Sequence, residues 1–238
     1  MSKFSENHAT QENPVSLPTL LENSLNHILK YGFPNYFGRQ RMGVLHENLK
    51  SDFSDDYMPI GPTIGKLLLL QQYKQVVDAI ILGEMYVDAS KSGCDLDSSQ
   101  ANNARRMYLA GSPLQLVLSL FPTASVRERT ILRGLIRYGK DDPKRLIDLL
   151  PYSAITLYIS AYQSFIWNKI CSYRLSKYGM RPVAGDLILG DDGGTRVLSE
   201  DELAKNQHDS DASLNLLKKV TLPLFGARSE YPKNDVGR

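Results

Sequence analysis

The chain has 238 residues, which is enough to bury a sizeable core in one large domain or two small ones. Its 42% hydrophobic and 23% charged residues are typical of a globular soluble protein and exclude the disordered and fibrous classes. The formal net charge of +2 creates no overall basic field, so a nucleic-acid partner has to be recognised from local patches.

The cysteines and histidines do not form a recognisable site. Cys94 and Cys171 make no C-x-x-C pair, and the four histidines are scattered, which argues against a metal site and a disulfide framework. No apolar run reaches the roughly 18–20 residues that span a bilayer, and the N-terminus lacks the apolar core of a signal peptide. We therefore expect a protein without metal or membrane partner, intracellular, in the nucleus or the cytoplasm, with a mobile tail over residues 1–15.

The first predicted helix begins near Ser16 and ends at Gly32. A glycine-rich loop, "YGFPNYFGRQRMG", covers residues 31–43, and an acidic, irregular connection follows it. A dense apolar pattern then predicts a helix from Thr63 to about Asp88 that packs against other helices. A turn-rich break follows, and two or three further helices are expected over residues 99–150, cut by Pro113, Pro122 and Pro143.

The segment from residue 152 to Gly179 is the clearest helix in the sequence. Seven residues follow the spacing of a single apolar face: Ile155, Tyr158, Ile159, Tyr162, Phe165, Ile166 and Ile170. Beyond this helix, "GDLIL" and "RVLS" predict short strands joined by the turn "GDDGG", a short helix fits residues 199–206, and "LKKVTLPLFG" has strand character. The predicted fold class is α+β, mostly helical to about residue 179 and then strand-and-turn.

The glycine-rich loop combines aromatic rings with arginines, a combination that suits an RNA base lifted out of its stack. Each base–aromatic stack is worth roughly 1–3 kcal/mol. The candidate groups are the rings of Tyr36 and Phe37, the amides of Asn35 and Gln40, the guanidinium groups of Arg39 and Arg41, and the bare backbone of Gly38. The alternative interpretation is a helix-exit loop whose aromatic side chains fill the core.

A second candidate is the segment "VRERTILRGLIRYGKDDPKR". Arg129, Arg133 and Arg137 recur every four residues and so share one face of a helix. Residues 127–145 contain seven basic and three acidic residues, so the segment could neutralise phosphates along an RNA backbone. The alternative is an ordinary solvated helix face. Elsewhere, residue chemistry alone identifies no catalytic triad, no phosphate-binding glycine loop and no dinucleotide fingerprint.

Several segments resemble one family, in that family's order. "NYFGRQRMG" resembles the N-Y-F-G-x-Q-R-F-G signature of the TruD family of RNA pseudouridine synthases, with Met42 in place of the usual phenylalanine. "ISAYQSFIWN", "GDLIL", "LPLFG" and "YPKNDVG" resemble further segments of the family, and "ERTILRGLIRYGKDDPKRLIDLLP" is similar to its eukaryotic branch. The resemblance runs from about Ser16 to the last residue.

The resemblance implies conversion of a uridine in RNA to pseudouridine without a cofactor or metal, using an aspartate carboxylate as the essential group. It implies that Phe37 stacks on the target uracil and that Asn35 helps to organise the pocket, while Gly38, Gln40 and Arg41 shape the loop. It also implies that residues 16–179 are part of the catalytic domain with a helical insertion, and that residues 180–238 begin a TruD-specific inserted domain. The RNA partner could be a transfer, messenger or small nuclear RNA.

One departure from the family pattern bears on catalysis. The family's aspartate lies in a G-x-K-D-x-x-A-x-T segment well upstream of the loop, and none of the 34 residues before Asn35 resembles it. "YGKDDPKR" follows the loop and lacks the alanine and threonine, so we do not assign it that role. We therefore expect a fragment of a synthase, inactive by itself, whose missing parts another chain could supply. The alternatives are a non-catalytic RNA-binding protein and a helical interaction scaffold.

Overall fold

The computed structural model describes residues 17–42, 58–87, 100–206 and 209–237. The helices in these parts of the chain are α1 (Leu17–Tyr31), α2 (Arg39–Met42), α3 (Ile60–Leu69), α4 (Tyr73–Leu82), α5 (Glu84–Val87), α6 (Gln100–Leu109), α7 (Leu114–Leu120), α8 (Val126–Tyr138), α9 (Pro143–Ile147), α10 (Tyr152–Tyr178), α11 (Glu200–Asn206) and α12 (Ser210–Lys219). The strands are β1 (Leu187–Leu189), β2 (Thr195–Val197) and β3 (Val220–Thr221). The predicted α+β class is confirmed. The expected tail, residues 1–15, lies outside the described residues.

The chain divides into two compact units, each built from separate stretches of sequence. One unit comprises residues 1–35 and 178–221, and the other comprises residues 36–177 and 222–238. We call them the sheet unit and the helical unit. Their boundaries differ from the continuous domains expected from the sequence, and the assignment of residues 16–179 and 180–238 to family domains stays a prediction. None of the described helices is long and apolar enough to cross a membrane.

The core of the helical unit contains buried residues of α3, α4, α6, α7, α8, α9 and α10. Its fully buried side chains include Val76, Ile81, Ile131, Leu132 and Leu146. Helix α3 lies directly against α10, because a Cβ atom on Gly65 would be 2.1 Å from the carbonyl oxygen of Tyr158. A glycine is therefore required at that crossing.

The prediction of a single helix from Thr63 to about Asp88 is wrong, because the structure divides this segment into α3, α4 and α5. Gln71 adopts a left-handed conformation, with φ at 56°, and its N–H donates to the carbonyl of Leu68. The N–H of Gln72 donates to the carbonyl of Leu67 at 2.9 Å. These two bonds form a Schellman cap, in which glutamine occupies the position usually held by glycine.

The helices expected over residues 99–150 are present, but there are four, α6 to α9, instead of two or three. The long helix, α10, has the predicted bounds, but its most buried stripe differs from the predicted apolar face, five of whose seven residues are half-buried. Its buried residues form a stripe with several small or polar members: Tyr158, Ala161, Ser164, Phe165, Asn168, Cys171 and Arg174. Only Tyr158 and Phe165 belong to both sets. Because apolar residues surround this helix on several sides, periodicity alone did not define the face that is buried.

The sheet unit contains an antiparallel sheet in the order β2-β1-β3. Leu187 pairs with Val197 of β2 and with Thr221 of β3, and Gly190 and Gly194 close the predicted turn with a 2.7 Å hydrogen bond. The predicted strand in "LKKVTLPLFG" is shorter than expected, because Lys218 and Lys219 end α12 and β3 has only two residues. Helix α1 has its predicted bounds, and none of its residues is buried.

Candidate functional site

The glycine-rich loop connects α1 to α2. Gly32 ends α1 in the left-handed region, with φ at 76°. The following residues have no regular structure until Gly38, whose carbonyl accepts the N–H groups of Arg41 and Met42 at 3.1 and 3.2 Å. Met42 is 3% exposed. The residue that departs from the family signature is therefore a buried anchor of the loop.

The side chain of Asn168 on α10 binds the backbone of Phe37 on both sides. The N–H of Phe37 donates to Asn168 Oδ1 at 3.0 Å, and Asn168 Nδ2 donates to the carbonyl of Phe37 at 2.9 Å. Asn168 is 4% exposed. A buried amide needs partners for its donor and its acceptor, and this loop residue provides both. The position of the loop on α10 is thus set at Phe37 itself.

The ring of Trp167 lies beside the same loop. Its centroid is 5.5 Å from that of Phe37 at an interplanar angle of 85°, and 6.4 Å from that of Tyr36 at 81°. Edge-to-face geometry of this kind is favourable between aromatic rings. The Tyr36 hydroxyl is 3.0 Å from Ser172 Oγ, one turn further along α10. One aromatic ring, one amide and one hydroxyl of α10, from Trp167, Asn168 and Ser172, therefore hold Tyr36 and Phe37 in place.

The same stretch of α10 also holds the C-terminal "LPLFG" segment. Trp167 Nε1 donates to the carbonyl of Leu222 at 3.0 Å, and Gln163 Nε2 donates to the carbonyl of Phe225 at 2.7 Å. Phe225 contacts the ring of Tyr231, with centroids 5.7 Å apart, and the Tyr231 hydroxyl donates to the carbonyl of Gly226. Segments far apart in sequence thus meet on one face of α10.

The Tyr36 hydroxyl and the Cys171 thiol beside the loop are uncharged at neutral pH. Burial raises the pKa of the Tyr36 hydroxyl, and the hydrogen bond with Ser172 acts in the opposite direction. Burial also raises the pKa of the Cys171 thiol. Both groups therefore keep their protons under physiological conditions and act as hydrogen-bonding or packing groups. Within the described residues, no group of three or more histidine, cysteine, aspartate or glutamate side chains could hold a metal ion.

The three arginines of the predicted stripe lie on α8, but their surroundings differ. Arg129 Nη1 donates to the carbonyls of Leu118 and Phe121 at 2.9 and 2.7 Å, which ties α8 to the end of α7. Arg133 and Arg137 are exposed. The guanidinium of Arg129 therefore has a structural role, whereas those of Arg133 and Arg137 face solvent.

The comparison with known proteins matches almost the whole chain to one family. The family model for tRNA pseudouridine synthase D (TruD) covers residues 8–238. The chain belongs to the TruD family. Pseudouridylate synthase PUS7L of Mus musculus is 32% identical over 219 residues, which is 90% of this chain and 28% of that relative. Pseudouridylate synthase 7 homolog of Homo sapiens is 27% identical over 226 residues, which is 91% of this chain and 28% of that relative.

The fold has a counterpart among solved structures. A Methanosarcina mazei protein assigned to tRNA pseudouridine synthase D (TruD) superposes with a TM-score of 0.67 at 22% identity, covering 92% of this chain and 47% of that protein. The TruD-family chain described here thus spans about half of that structure and about 28% of the two mammalian relatives. The expected resemblance to the family, and to its eukaryotic members, is confirmed.

The structure places the predicted TruD loop residues in different surroundings. Phe37 is half-buried, and the Arg41 guanidinium carbon lies 5.8 Å from its ring centroid. Asn35 and Gln40 are exposed. A Cβ atom on Gly38 would have no heavy atom of the described residues within 4 Å, so none of them fills the space beside it. The roles of these five residues in binding stay predictions.

The sequence analysis assigns no role to three residues of α10: Trp167 and Asn168, which position the loop, and Gln163, which holds the "LPLFG" segment. All three lie in "ISAYQSFIWN", which was used only to identify the family. A signal was available, because an asparagine and a glutamine within the apolar part of a long helix need partners when they are buried. The sequence does not say which partners they have, since Asn168 and Phe37 are separated by 131 positions.

Proposed function

We propose that the glycine-rich loop and α10 form the uracil-binding part of a pseudouridine synthase site that acts on RNA. The observation that carries this proposal is the paired hydrogen bond between Asn168 and the backbone of Phe37. It fixes the one loop residue whose ring is expected to stack on the target base. Stacking is worth roughly 1–3 kcal/mol per base when the ring is held in place beforehand.

The other predicted loop residues fit supporting roles around that ring. The described residues leave the space beside Gly38 open, so a ribose or phosphate could approach the backbone there. Arg41 is close to Phe37 and could reach a phosphate beside a stacked base. Asn35 and Gln40 are exposed amides that could bind the polar edge of uracil.

The reaction proposed for the complete site is an isomerisation of uridine. The bond from the ribose to a uracil nitrogen breaks, the uracil turns, and a bond from the ribose to a uracil carbon forms. The hydrogen displaced from that carbon is balanced by one gained at the nitrogen, so no oxidant, reductant or cofactor is consumed. The family resemblance assigns the essential step to an aspartate in a G-x-K-D-x-x-A-x-T segment, which the 34 residues before Asn35 do not contain.

A polypeptide of residues 1–238 is therefore expected to bind a uridine-containing RNA without isomerising it. Transfer RNA is the first substrate to test, because the Methanosarcina mazei protein of the same fold is named for it. Messenger and small nuclear RNA are the other classes that we consider. The missing aspartate would have to be provided in addition to these 238 residues, from the same chain or from another.

The test compares two phenylalanine variants from the same loop. Phe37→Ala is expected to weaken binding of a labelled RNA hairpin with an unpaired loop uridine by about tenfold or more, as the loss of one stack predicts. Phe33→Ala is the matched control, since Phe33 is 69% exposed in the loop. Equal binding by the parent and Phe37→Ala would contradict the uracil-binding role. Pseudouridine detected by chemical labelling after incubation with the parent would contradict the expected inactivity.

A second candidate function is non-catalytic RNA binding by a protein derived from a synthase. The observation that favours it is the pair of exposed arginines on α8, Arg133 and Arg137, which could bind phosphates whatever the base. The two functions differ in base preference. A uracil pocket should bind a loop uridine better than a loop cytidine, whereas binding through phosphates alone should be indifferent to this change. Indifference, together with an intact salt dependence, would favour the second function.

A further inference from the structure

Helices α8 and α9 present a row of basic side chains that we call the basic ridge. Its members are Arg133, Arg137, Lys140, Lys144 and Arg145, and all five are exposed. In the parts of the chain that the structure describes, none of the five forms an ion pair with a carboxylate. The sequence predicts a basic segment over residues 127–145 and assigns phosphate contacts to Arg129, Arg133 and Arg137.

A tyrosine joins the two helices within the ridge. The guanidinium carbon of Arg145 lies 3.9 Å from the ring centroid of Tyr138, and that of Arg137 lies 5.2 Å from it. A cation over an aromatic face is stabilised by roughly 0.5–1 kcal/mol at an exposed site. Tyr138 therefore keeps one arginine from each helix at the same place on the surface.

Close packing of α8 against the segment around α9 brings the basic residues of the ridge together. A Cβ atom on Gly134 of α8 would be 2.6 Å from Leu149 Cδ1 and 2.9 Å from Leu146 Cδ2. The absence of a side chain at this position allows the segment around α9 to approach α8. The ridge is therefore a product of tertiary packing and cannot be read from the spacing of basic residues along one helix.

The acidic residues near the ridge do not cancel its charge. Residues 133–148 include five basic side chains and three acidic ones, Asp141, Asp142 and Asp148. Asp142 Oδ1 accepts the backbone N–H of Arg145 and starts α9. Glu128, the acidic residue of α8, lies 3.7 Å from Arg105. The surface keeps an excess of positive charge, as a phosphate-binding surface requires.

The ridge is connected to the loop through α10. Arg127, at the start of α8, donates to the Tyr158 hydroxyl at 3.1 Å. Asn168, which holds Phe37, lies ten residues further along the same helix, a distance of about 15 Å at 1.5 Å per residue. The start of α8 is thus within a few nucleotides' reach of the ring expected to hold the target base, and the ridge extends away from that point.

We propose that the basic ridge binds phosphates of the RNA that flanks the target uridine. This inference rests on the proposed function. The ridge contributes affinity that is independent of sequence, while the loop selects the base. Arg129 is not a member, because its guanidinium is committed to the carbonyls of Leu118 and Phe121. Guanidinium groups suit this role because they bind phosphate through two parallel hydrogen bonds.

The test is the salt dependence of binding to the labelled RNA hairpin. The double variant Arg133→Gln/Arg137→Gln is expected to lower the slope of log affinity against log salt by about 1.4–1.8, corresponding to two lost phosphate contacts. Between about 50 and 200 mM salt the loss of affinity should then be roughly tenfold smaller than for the parent. The Arg133→Lys/Arg137→Lys variant keeps both charges and should retain most of the slope.

The matched control is Lys66→Gln/Arg106→Gln, which removes two exposed charges from α3 and α6 of the same unit. It should bind with the parent's slope. If the Arg133/Arg137 double variant also keeps the parent's slope and affinity, the ridge proposal is overturned, while the uracil-binding proposal still rests on the Phe37 comparison. If a folded parent binds no RNA at low salt, both proposals are overturned. Circular dichroism melting of each variant confirms that it is folded.

Discussion

The Asn168 amide spans the backbone of Phe37, accepting from its N–H at 3.0 Å and donating to its carbonyl at 2.9 Å. The two residues are 131 positions apart, and the bond pair joins the loop to α10. Trp167, the preceding residue, contacts the Phe37 ring from the side. Asn168 holds the backbone of Phe37, and Trp167 packs against its ring. Together they restrict the side chain that we expect to stack on the target base.

The Asn168→Ala variant should be less stable than the parent by about 1–3 kcal/mol. The substitution leaves the N–H and carbonyl of Phe37 without their partner, and unsatisfied groups in a partly buried site carry a cost of that size. Urea unfolding measures the change. Asn103→Ala is the control, because Asn103 is exposed on α6 and accepts a hydrogen bond from Arg106 of the same helix. A parent-like midpoint for Asn168→Ala would show that the bond pair does not hold the loop.

Gly65→Ala is expected to be among the most damaging single substitutions in the helical unit. Its Cβ atom would be placed 2.1 Å from the carbonyl oxygen of Tyr158, so α3 and α10 would have to separate. Overpacking in a core costs typically 1–3 kcal/mol, and a backbone clash lies at or above the upper end of that range. Thermal unfolding measures it. Gly111→Ala would be a poor control because its φ is 73°, and Gly38→Ala is the appropriate one.

The Gly38→Ala substitution should weaken RNA binding while leaving the stability of the protein almost unchanged. No heavy atom of the described residues lies within 4 Å of the position its Cβ would take, so the free energy of unfolding should change by no more than about 0.5 kcal/mol. If the RNA backbone approaches the loop at Gly38, the added methyl group should weaken hairpin binding several-fold. Unchanged binding by a stable Gly38→Ala protein would remove the support for a close approach at this residue.

Trp167 provides an intrinsic signal for the loop, because it is the single tryptophan of the chain. Its ring lies 5.5 Å from that of Phe37, so binding of a base at Phe37 should change tryptophan fluorescence. The change should saturate with RNA concentration and should be lost in Phe37→Ala. A signal of equal size in both proteins would place the bound RNA elsewhere. Trp167→Phe should also lose the bond to Leu222, at a cost of about 0.5–1.5 kcal/mol.

Stability should fall at alkaline pH, in part through Tyr108. Burial, followed by the hydrogen bond to Asp78, raises the pKa of Tyr108 above its ordinary value near 10. Above about pH 10 the unfolded chain releases this proton and the folded chain retains it, so the free energy of unfolding decreases as the pH rises. Tyr108→Phe should weaken this decrease in urea unfolding curves between about pH 9 and 11. Tyr152→Phe is the control, because Tyr152 is exposed. If the free energy of unfolding falls with pH as steeply in Tyr108→Phe as in this control, Tyr108 does not cause the decrease.

The sequence by itself determined most of the local structure and the family. The helix positions followed from apolar periodicity and from the positions of glycine and proline. Glycine and proline change the backbone conformations that are allowed at their own positions, so their effect is local. The bounds of α1 and α10 were predicted closely for this reason. The family followed from segments that occur in a fixed order. By contrast, the break at Gln71 was missed, because glutamine rarely adopts the left-handed conformation that ends α3.

Only the tertiary structure decided which residues meet. It selected the buried stripe of α10, paired Asn168 with Phe37, and attached Leu222 to Trp167. It also separated Arg129, which binds carbonyls of α7 and the residue after it, from Arg133, which faces solvent, although both share one helix face in the sequence. The physical reason is the same in each case. Local periodicity indicates the conformation of a segment. The partner of a buried amide or an arginine is set by chain segments that are distant in the sequence.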